Sequence, residues 1–475
     1  MIKTITSCGA RIGLTISLAF MAAGIAVAIF KPFAGLGSQG HIMLGAMIAA
    51  LSAWIFRPGG GTYIIGAAII LLGGSFARVP MPDLTTGFSN ASFWLLIPAM
   101  FLGGALLQTG LGRRIVYALF TRLRLSYPGI LIGWFFAGVL FALLTPSITV
   151  RILILTPIAV SVSDACLLDN MSRGRSLMVL SSWSVSIFPG IAWQNGSLFG
   201  PVFTSFLPAG SIRDMATEQM WLRVMGIPWI LFSIVFLAAL YFVLKPEQKV
   251  TVTKEQIKKM YAELGPITKN EKSCLTAFVF LLVLLALQTF LSTTTNQALF
   301  AAFILLLLFG VFSTKEIASG ISWDIAVFFG MLMSFPHIFQ TTGISDWLAP
   351  ALSSFMGPIA FSPLVFILAL FAICVLMRFL DVTQGWIIAA VLSMAAPMLY
   401  SEYGLNPLIS TMVFVSASNV FFFSYQQPWL GLTESVCGAG GWNPRHVSKA
   451  SVLYTFLAAL MLVFSRFYWG LAGVV

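Results

Sequence analysis

Two short polar runs interrupt long apolar parts of this chain: TPSIT at residues 145–149 and DVTQG at residues 381–385. Each lies within one of two stretches that resemble diverged copies, Ala91 to Asn195 and Trp323 to Gln427, in which TGL at 109–111 matches TGI at 342–344. Ser184 and Ser416 also match, each eleven residues before the end of its copy. Duplicated membrane units with helices interrupted at matching positions are typical of secondary transporters, so the two runs predict a pair of half-sites.

Composition indicates a chain that lies in a bilayer. Of the 475 residues, 59% are hydrophobic and 9% are charged, whereas about a quarter of a soluble protein is charged. Barrel strands would alternate apolar and polar residues, but these runs are solidly apolar. We therefore predict an all-α polytopic membrane protein with about eleven transmembrane helices. The predicted helices are Ile12–Phe30, Ile42–Phe56, Thr62–Phe76, Ser92–Thr109, Thr149–Ala165, Pro228–Leu244, Cys274–Leu291, Gln297–Phe312, Trp323–Phe339, Gln384–Leu399 and Ser451–Gly470.

Two further apolar runs, Pro128–Leu144 and Pro363–Phe379, each begin at a proline and stop at a polar run. They predict re-entrant hairpins, because non-helical backbone at membrane depth must be satisfied by protein or by a water-filled cavity. The predicted division of the chain is N-terminal scaffold helices (1–88), a first inverted repeat (89–244, with hairpin 128–145 and a broken helix from 147), a cytoplasmic loop (245–272), further scaffold helices (273–318) and a second inverted repeat (319–475, with hairpin 362–380 and a broken helix from 381).

Basic residues predict the orientation. The net charge is +11, and lysines and arginines cluster in residues 113–124 and 245–272. The positive-inside rule places these segments and the N-terminus in the cytoplasm, which makes the two copies inverted relative to each other. The first apolar run, which follows Lys3 and Arg11, is either a secretory signal or a first transmembrane helix, and we favour the helix. The basic segments lack the aromatic interleaving that is typical of nucleic-acid-binding modules, so we expect no nucleic-acid partner.

The first polar run places Ser147 and Thr149 where a hairpin tip meets the start of a helix. Backbone N–H groups and a positive dipole end are exposed at such a point. The two hydroxyls either cap the helix or hold an anionic carboxylate, while unwound carbonyls hold a hard cation such as Na⁺. Arg151 follows two residues later and either compensates the charge of an anionic substrate or has a structural role.

The second polar run carries Arg378 and Asp381 three residues apart. They form either a neutralised structural pair or a direct contact with substrate, and Asp381 is alternatively a ligand for a cation or a proton. The amides at Asn195 and Gln427 either belong to turns or complete cation sites beside the runs. The candidate substrate-binding residues are Ser147, Thr149, Arg151, Asp381, Thr383 and Gln384. The candidate Na⁺ ligands are Thr145, Ser147, Asn195, Asp381 and Gln427.

The sequence carries no sign of an enzyme. Its three histidines are isolated and its five cysteines are scattered, without the spacing of metal or redox motifs. It has no Walker-type glycine loop for ATP. We therefore expect no catalytic residues and no cofactor, with Na⁺ entering only as a coupling ion.

The chain resembles the divalent anion/sodium symporter (DASS) family, in its bacterial and plastid di- and tricarboxylate branch. The resemblance rests on residues 89–90 and 103–115, on TPSITVR at 145–151, which is similar to the family signature Pro-Ser-Asn-Thr-Ala-Arg, and on the loop 244–272. It implies a homodimeric elevator-type transporter of the bacterial inner membrane. It also implies that two Ser-Asn-Thr motifs hold substrate carboxylate beside Na⁺ sites, although some members exchange dicarboxylates without Na⁺.

The chain departs from the family pattern at three places. Ile148 replaces the signature Asn, the segment 381–383 replaces the second motif, and Trp386 stands where small residues are expected. Losing a buried amide removes polar recognition of about 1–3 kcal/mol per contact. Asp381 is then a candidate proton- or cation-linked group, and Trp386 favours a less polar or aromatic anion.

The predicted function is secondary active transport of small organic anions, di- or tricarboxylate-like, coupled to Na⁺ or H⁺ by an elevator mechanism. The alternatives are an anion exchanger without Na⁺ coupling and a passive anion channel. The expected partners are the organic anion, the lipid bilayer and a second copy of the chain.

Overall fold

The computed structural model describes residues 2–56, 62–208, 210–379, 384–423, 426–438 and 440–474, with the backbone alone for 2–12 and 289. All secondary structure in these residues is helical, so the predicted all-α fold is confirmed.

The helices in chain order are α1 (Ile2–Phe30), α2 (Ser38–Phe56), α3 (Ile64–Phe76), α4 (Met81–Leu84), α5 (Ala91–Thr109), α6 (Leu111–Arg122), α7 (Tyr127–Leu144), α8 (Ile148–Ala165), α9 (Arg173–Ile191), α10 (Phe199–Ser205), α11 (Ser211–Asp214), α12 (Glu218–Trp221), α13 (Ile227–Leu244), α14 (Lys254–Ala262), α15 (Lys269–Ala286), α16 (Gln288–Leu291), α17 (Thr295–Leu308), α18 (Thr314–Ser319), α19 (Trp323–Thr341), α20 (Ile344–Ala360), α21 (Pro363–Met377), α22 (Trp386–Leu392), α23 (Ala396–Tyr403), α24 (Pro407–Ser418), α25 (Pro428–Cys437) and α26 (Pro444–Leu471). A π-helical turn, Leu222–Gly226, joins α12 to α13.

Within the described residues, eight helical segments are long and apolar enough to cross a membrane. A ninth is added if α19 and α20, which meet at a bend of 91°, are one broken span. This is fewer than the roughly eleven expected at about 20 apolar residues per span. Of the eleven predicted spans, Thr62–Phe76 and Gln297–Phe312 correspond to α3 and α17, which are apolar but shorter than 18 residues.

The two sequence copies begin with the same local order. Helices α5 and α19 have 19 residues each, and a glycine with a left-handed backbone follows each of them, Gly110 with φ +81° and Gly343 with φ +73°. An L side chain is strained in this region of φ/ψ space. The matching TG dipeptides therefore mark two equivalent corners between helices.

Residues 127–144, where we expected a re-entrant hairpin over 128–145, form the single helix α7. Pro128 occupies the first turn of this helix, where its missing N–H costs no hydrogen bond. Likewise, Pro363 begins the single helix α21, which ends at Met377. The rest of the second expected hairpin, up to residue 380, reaches the undescribed residues 380–383.

One compact unit comprises Met1–Trp94, Val202–Ala216 and Ser322–Ser418. Here α2 packs against α1 and α3, and α19 packs against α3 and α4. The indole of Trp54 lies in its core, with ring centroids 5.0 Å from Phe328 and 6.0 Å from Phe335. A polar contact, Asp83 Oδ1 to His337 Nε2 at 2.9 Å, joins α4 to α19.

The second compact unit comprises Leu95–Pro201, Thr217–Ile321 and Asn419–Val475. Its central element is α9, which is buried from Gly174 to Ile191 and packs against α7, α8 and α13. Three of its serines, Ser182, Ser184 and Ser186, donate to backbone carbonyls of the preceding turn, in the case of Ser184 to Ser181 at 2.9 Å. Ser416 of the first unit donates in the same way to Met412 at 2.7 Å. The matched serines are thus used inside their helices. The predicted scaffold and repeat boundaries stay predictions.

A buried ion pair holds the loop before α15 against α6. Arg114 Nε donates to Glu271 Oε1 at 2.7 Å and Arg114 Nη2 to Glu271 Oε2 at 3.2 Å. Arg114 also donates to the carbonyls of Leu264 and Gly265, while Glu271 accepts from the backbone N–H of Thr268 in a capping box. Helix α6 packs against α14 as well, so α6, α14 and the loop before α15 form one structure.

Candidate functional site

The polar run 145–149 forms a sharp break between α7 and α8. Thr145 and Ser147 have extended backbone. The hydroxyl of Thr145 is buried, donates to the carbonyl of Ala99 at 3.4 Å and accepts from the backbone N–H of Ser147 at 3.2 Å. Thr145 therefore fixes the break against α5, and its oxygen is already engaged within the protein.

Ser147 is the N-cap of α8, and its hydroxyl accepts from the N–H of Val150 at 3.4 Å. The side chain is half-buried, whereas Thr149 is exposed and the signature-replacing Ile148 is buried. The capping role that we considered from the sequence is thus present in the structure. Ser147 keeps its own O–H, and the first turn of α8 presents backbone N–H groups with a positive dipole end.

Arg151 is fully buried in a membrane-spanning helix. Its Nη2 donates to the carbonyl of Gly196 at 2.9 Å, whereas its Nε and Nη1 have no hydrogen-bond partner among the described residues. None of the four ion pairs in the described part of the chain includes it. Arg151 therefore brings an uncompensated positive charge to the turn that follows α9.

Two glycines make room for this guanidinium. A Cβ built on Gly190 would overlap Nη1 of Arg151 and would lie 2.5 Å from the carbonyl oxygen of Gly196. A Cβ on Gly196 would lie 2.5 Å from the carbonyl oxygen of Gly190. The end of α9 and the following turn thus pack backbone against backbone, and the side chain of Arg151 reaches from α8 to both glycines.

The same turn carries Asn195, whose amide Nδ2 donates to Glu218 Oε1 at 2.9 Å. The other carboxylate oxygen of Glu218 accepts from the hydroxyl of Thr295 at 2.8 Å, and Thr295 accepts from Gln288 Nε2 at 2.9 Å. Sequence reasoning missed Glu218, Thr295 and Gln288. The sequence signal for Glu218 was its position at the start of the apolar segment that ends at Leu244. We began this helix ten residues too late, at Pro228.

These side chains line a cavity of about 240 Å³, named here the Glu218 cavity. Leucines form much of its apolar wall. Its lining includes Pro146, Gln194, Asn195, Glu218, Gln288 and Thr295. The cavity therefore lies beside the break in the helix and carries one carboxylate, amides and a hydroxyl.

The remaining Na⁺-ligand candidates do not converge on one centre. Gln427 is buried, caps α25 and donates from Nε2 to Asn419 Oδ1 at 3.0 Å, and Thr145 bonds Ala99 as described above. Asp381 lies outside the described residues. The described residues contain no group of three or more His, Cys, Asp or Glu side chains arranged to hold a metal.

The second predicted half-site is described only in part, because Asp381 and Thr383 lie outside the described residues. Gln384, which is buried with φ +59°, accepts a hydrogen bond from the indole of Trp386 at 3.3 Å. The ring of Trp386 stacks on Phe203 at 4.9 Å and meets Phe329 edge-on at 5.4 Å. The bulky residue that departs from the family pattern is thus held firmly in an aromatic cluster.

Arg378 follows α21 directly and is buried, with 1% of its surface exposed. We predicted that Arg378 pairs with Asp381, but Asp381 lies outside the described residues. A buried arginine thus lies beside each of the two polar runs, Arg151 in one compact unit and Arg378 in the other.

Known proteins resemble this chain along nearly its whole length. The family described as "Sodium:sulfate symporter transmembrane region" matches residues 13–475. The inner membrane protein YbhI of Escherichia coli K12 is 23% identical over 82% of this chain and 83% of its own length. The dicarboxylate transporter 1 of Spinacia oleracea chloroplasts is 26% identical over 58% of this chain and 50% of its own.

A solved structure shares the fold. The YdaH transporter of Alcanivorax borkumensis, whose topology is described as unusual, superposes with a TM-score of 0.56 at 14% identity, over 84% of this chain and 89% of its own. Together with the apolar spans, the inner-membrane relative identifies a multi-pass inner-membrane protein. The family match over residues 13–475 confirms the resemblance that the motifs predicted: this chain belongs to the divalent anion/sodium symporter family.

Proposed function

We propose that this protein is a secondary active transporter of small organic anions of the di- or tricarboxylate class, coupled to Na⁺ or H⁺. The observation that carries the proposal is the buried charge of Arg151, which has no acidic partner among the described residues and two nitrogens without hydrogen bonds. An ionised side chain within a membrane span is expensive and usually functional. An anion that binds near this region lowers the electrostatic free energy of the buried arginine.

The N-terminal end of α8 also supports an organic anion as the substrate. Ser147 caps the helix, and the exposed Thr149 follows in its first turn. The unpaired N–H groups of a first turn and its positive dipole end attract carboxylates. Because Arg151 is fully buried behind Gly196, its contribution is a long-range positive potential and the positioning of the turn, while Ser147 and Thr149 offer the direct contacts.

The relatives support a carboxylate over an inorganic anion. The Spinacia oleracea relative is named a dicarboxylate transporter. We extend this substrate class to the present chain, with Gln384 and the undescribed Asp381 and Thr383 as the second half-site. The elevator movement and the homodimer belong to the same proposal and rest on the family resemblance.

The test is flux into proteoliposomes that contain the purified protein. Saturable uptake of a radiolabelled dicarboxylate driven by a Na⁺ or pH gradient supports coupled transport. Uptake that requires a dicarboxylate inside the vesicle and ignores both gradients identifies the exchanger instead. Linear flux that ignores gradients and internal substrate identifies a channel and contradicts the proposal.

A matched pair of variants locates the site. Ser147→Ala and Ser313→Ala each remove the N-cap serine of a helix, so both lose about 1 kcal/mol of stability. We expect uptake to fall only in Ser147→Ala, since Ser313 caps the six-residue helix α18 far along the chain from the polar runs. Equal uptake by the two variants would exclude Ser147 from the substrate site.

A further inference from the structure

Two grooves lie beside α13, which packs against both α7 and α26. The first, of about 480 Å³, is lined by α7 from Pro128 to Phe136 and by α13 from Ile234 to Phe242. The second, of about 700 Å³, lies between the end of α13 and the start of α26. It is lined by Val243, Ser448, Lys449, Val452, Leu453 and Phe456. Both volumes fall in the range of about 300–1,000 Å³ that is typical of ligand sites.

Both grooves open on the surface of membrane-spanning helices. Ile132 and Phe136 are exposed in the first, and Val452 and Phe456 are exposed in the second. The grooves follow residues 128–136 of α7 and 448–456 of α26, which is about 12 Å of helix in each case. One leaflet supplies roughly 15 Å of a hydrocarbon core that is about 30 Å thick. Each groove therefore has about the length that an acyl chain occupies in one leaflet.

The two grooves differ in charge. The lining of the groove beside α7 is apolar apart from Tyr241, whereas Lys449 lines the groove beside α26, which is named here the Lys449 groove. Arg445 precedes Lys449 by four residues, so both lie on the same face of α26. Lys245 directly follows the last residue of α13. All three basic residues are exposed at this end of the groove.

The three cations have no acidic partner in the described part of the chain, since none of its ion pairs includes them. The sequence has no Asp or Glu after Glu434. Glu247, the acidic residue nearest to Lys245 in the sequence, is bound to Arg173 at 3.0 Å. Like charges four residues apart on a helix repel each other. An anion bound at this end of the groove therefore stabilises the folded state.

An anionic phospholipid has the chemistry that fits both features, a phosphate for the cations and an acyl chain for the apolar walls. The positive-inside rule places this end of α13 in the cytoplasm, and basic residues next to a span attract the anionic headgroups of that leaflet. The stem of Lys449 can lie along the groove while its ammonium group reaches the headgroups. A free phosphate would leave the apolar walls uncovered, and a neutral phospholipid would leave the three charges unbalanced.

We propose that the Lys449 groove is a binding site for an anionic phospholipid of the cytoplasmic leaflet. Its phosphate is bound by Lys449, Arg445 and Lys245, and one acyl chain lies between α13 and α26. The groove beside α7, whose lining carries no charge, offers an acyl chain the same contacts without selecting the headgroup. The proposal depends neither on the transported anion nor on the coupling ion.

The experiment measures the thermal unfolding of the purified full chain in detergent micelles with added phosphatidylglycerol or phosphatidylcholine of identical acyl chains. Glycerol phosphate serves as the headgroup without chains. We expect a saturable rise of Tm with phosphatidylglycerol that exceeds the rise with phosphatidylcholine, since a ligand of the folded state raises Tm by mass action. Glycerol phosphate should leave the Tm unchanged.

A pair of lysine variants tests the charge. In Lys449→Gln the concentration of phosphatidylglycerol for half-maximal effect should rise about five-fold, which corresponds to about 1 kcal/mol for one basic residue near anionic headgroups. Lys315→Gln removes an exposed lysine of α18 and should leave that concentration unchanged.

A second pair of variants tests the groove. Val452→Trp fills the Lys449 groove, and Ile132→Trp fills the groove beside α7. Both replace an exposed apolar residue of a span, so both should fold. We expect the preference for phosphatidylglycerol over phosphatidylcholine to disappear only in Val452→Trp.

Four results overturn the proposal. One is a wild-type Tm that responds equally to the two phospholipids, and another is a phosphatidylglycerol response that is unchanged in Lys449→Gln or in Val452→Trp. A rise with glycerol phosphate as large as the rise with phosphatidylglycerol identifies a site for free phosphate instead. A dimer that Val452→Trp dissociates, measured as the molecular mass in detergent, assigns this face to a second copy of the chain.

Discussion

Gly190→Ala tests the packing around Arg151, on which the proposed substrate site depends. Gly190 lies in the last turn of α9, where a Cβ would overlap Arg151 Nη1 and would lie 2.5 Å from the carbonyl oxygen of Gly196. Both neighbours are buried. Neither can move away freely, because the guanidinium is bonded to that same carbonyl at 2.9 Å. The methyl group must therefore displace the arginine, the turn, or both.

The expected loss follows from two terms. Breaking a hydrogen bond to a charged group costs about 1.5–3 kcal/mol, and adding a methyl to a well-packed interior costs about 1–3 kcal/mol. Alanine regains about 0.5–1 kcal/mol over glycine within a helix. The folded state should therefore lose about 2–5 kcal/mol.

The assay is reversible unfolding in mixed detergent micelles, with Gly104→Ala as the control. Gly104 is also helical, in α5, and a Cβ there would lie 3.8 Å from the ring of Phe312, an ordinary contact. We expect this control to be neutral or to gain up to about 1 kcal/mol. If Gly190→Ala unfolds like Gly104→Ala, the backbone-to-backbone packing around Arg151 described above is wrong.

Three further predictions concern other parts of the chain. Glu271→Gln leaves Arg114 buried without its counter-charge and should cost about 3–5 kcal/mol in the same unfolding assay. Burial raises the pKa of Glu271, but hydrogen bonds from Arg114 and Thr268 lower it further, so its net pKa lies below the ordinary value of 4.5. The ion pair therefore stabilises the folded state above pH 4.5, and this stabilisation is lost as the pH falls through the folded-state pKa. Glu271→Gln should lack this acid dependence, and equal acid sensitivity of the two proteins would contradict the ion-pair contribution. Gly343→Ala places a Cβ at φ +73° with no contact nearby, so we expect a loss of about 1–2 kcal/mol from backbone strain alone, with a smaller loss for asparagine; an unchanged midpoint would contradict the left-handed corner. Trp386→Phe keeps an aromatic ring in the cluster but removes the N–H that donates to Gln384, and in a thermal-shift screen it should change the ranking of aromatic against aliphatic dicarboxylates; an unchanged ranking would separate Trp386 from substrate selection.

Local patterns predicted many of the long apolar helices but missed α9, α20 and α24. Apolar runs bounded by turn residues gave α5, α8 and α19 within a residue or two of their observed ends, since apolar length and turn chemistry act over short distances. The paired TG dipeptides also gave two equivalent corners, because glycine is required wherever φ is positive. At 128–145 the structure has the single helix α7 in place of the expected hairpin. A proline at the start of an apolar run is compatible with an ordinary helix N-terminus as well as with a re-entrant turn, so the local pattern could not distinguish them.

The candidate site depended on contacts that sequence cannot supply. The structure shows that Thr145 and Gln427 bond other parts of the protein, whereas Asn195 reaches Glu218, 23 residues away, and through it Thr295, a further 77 residues along the chain. Glu218 was missed because the predicted helix began only at Pro228. A π-helical turn carries the helix through this segment instead.

The turn 193–196 connects Arg151 to Glu218. The backbone carbonyl of Gly196 accepts from the buried cation Arg151, while the side chain of the neighbouring Asn195 donates to the anion Glu218. An anion near the positive end of α8 is attracted by the charge of Arg151 at long range, while the guanidinium stays bonded to Gly196. The coupling ion and the anion are the two ligands whose binding the transporter must link. If binding one ligand changes the free energy of binding the other, the change must be equal in both directions. Reciprocity holds wherever the coupling arises, so a variant must locate it: a Na⁺ effect on anion affinity that is unchanged in Gly190→Ala would mean that the coupling arises elsewhere in the chain.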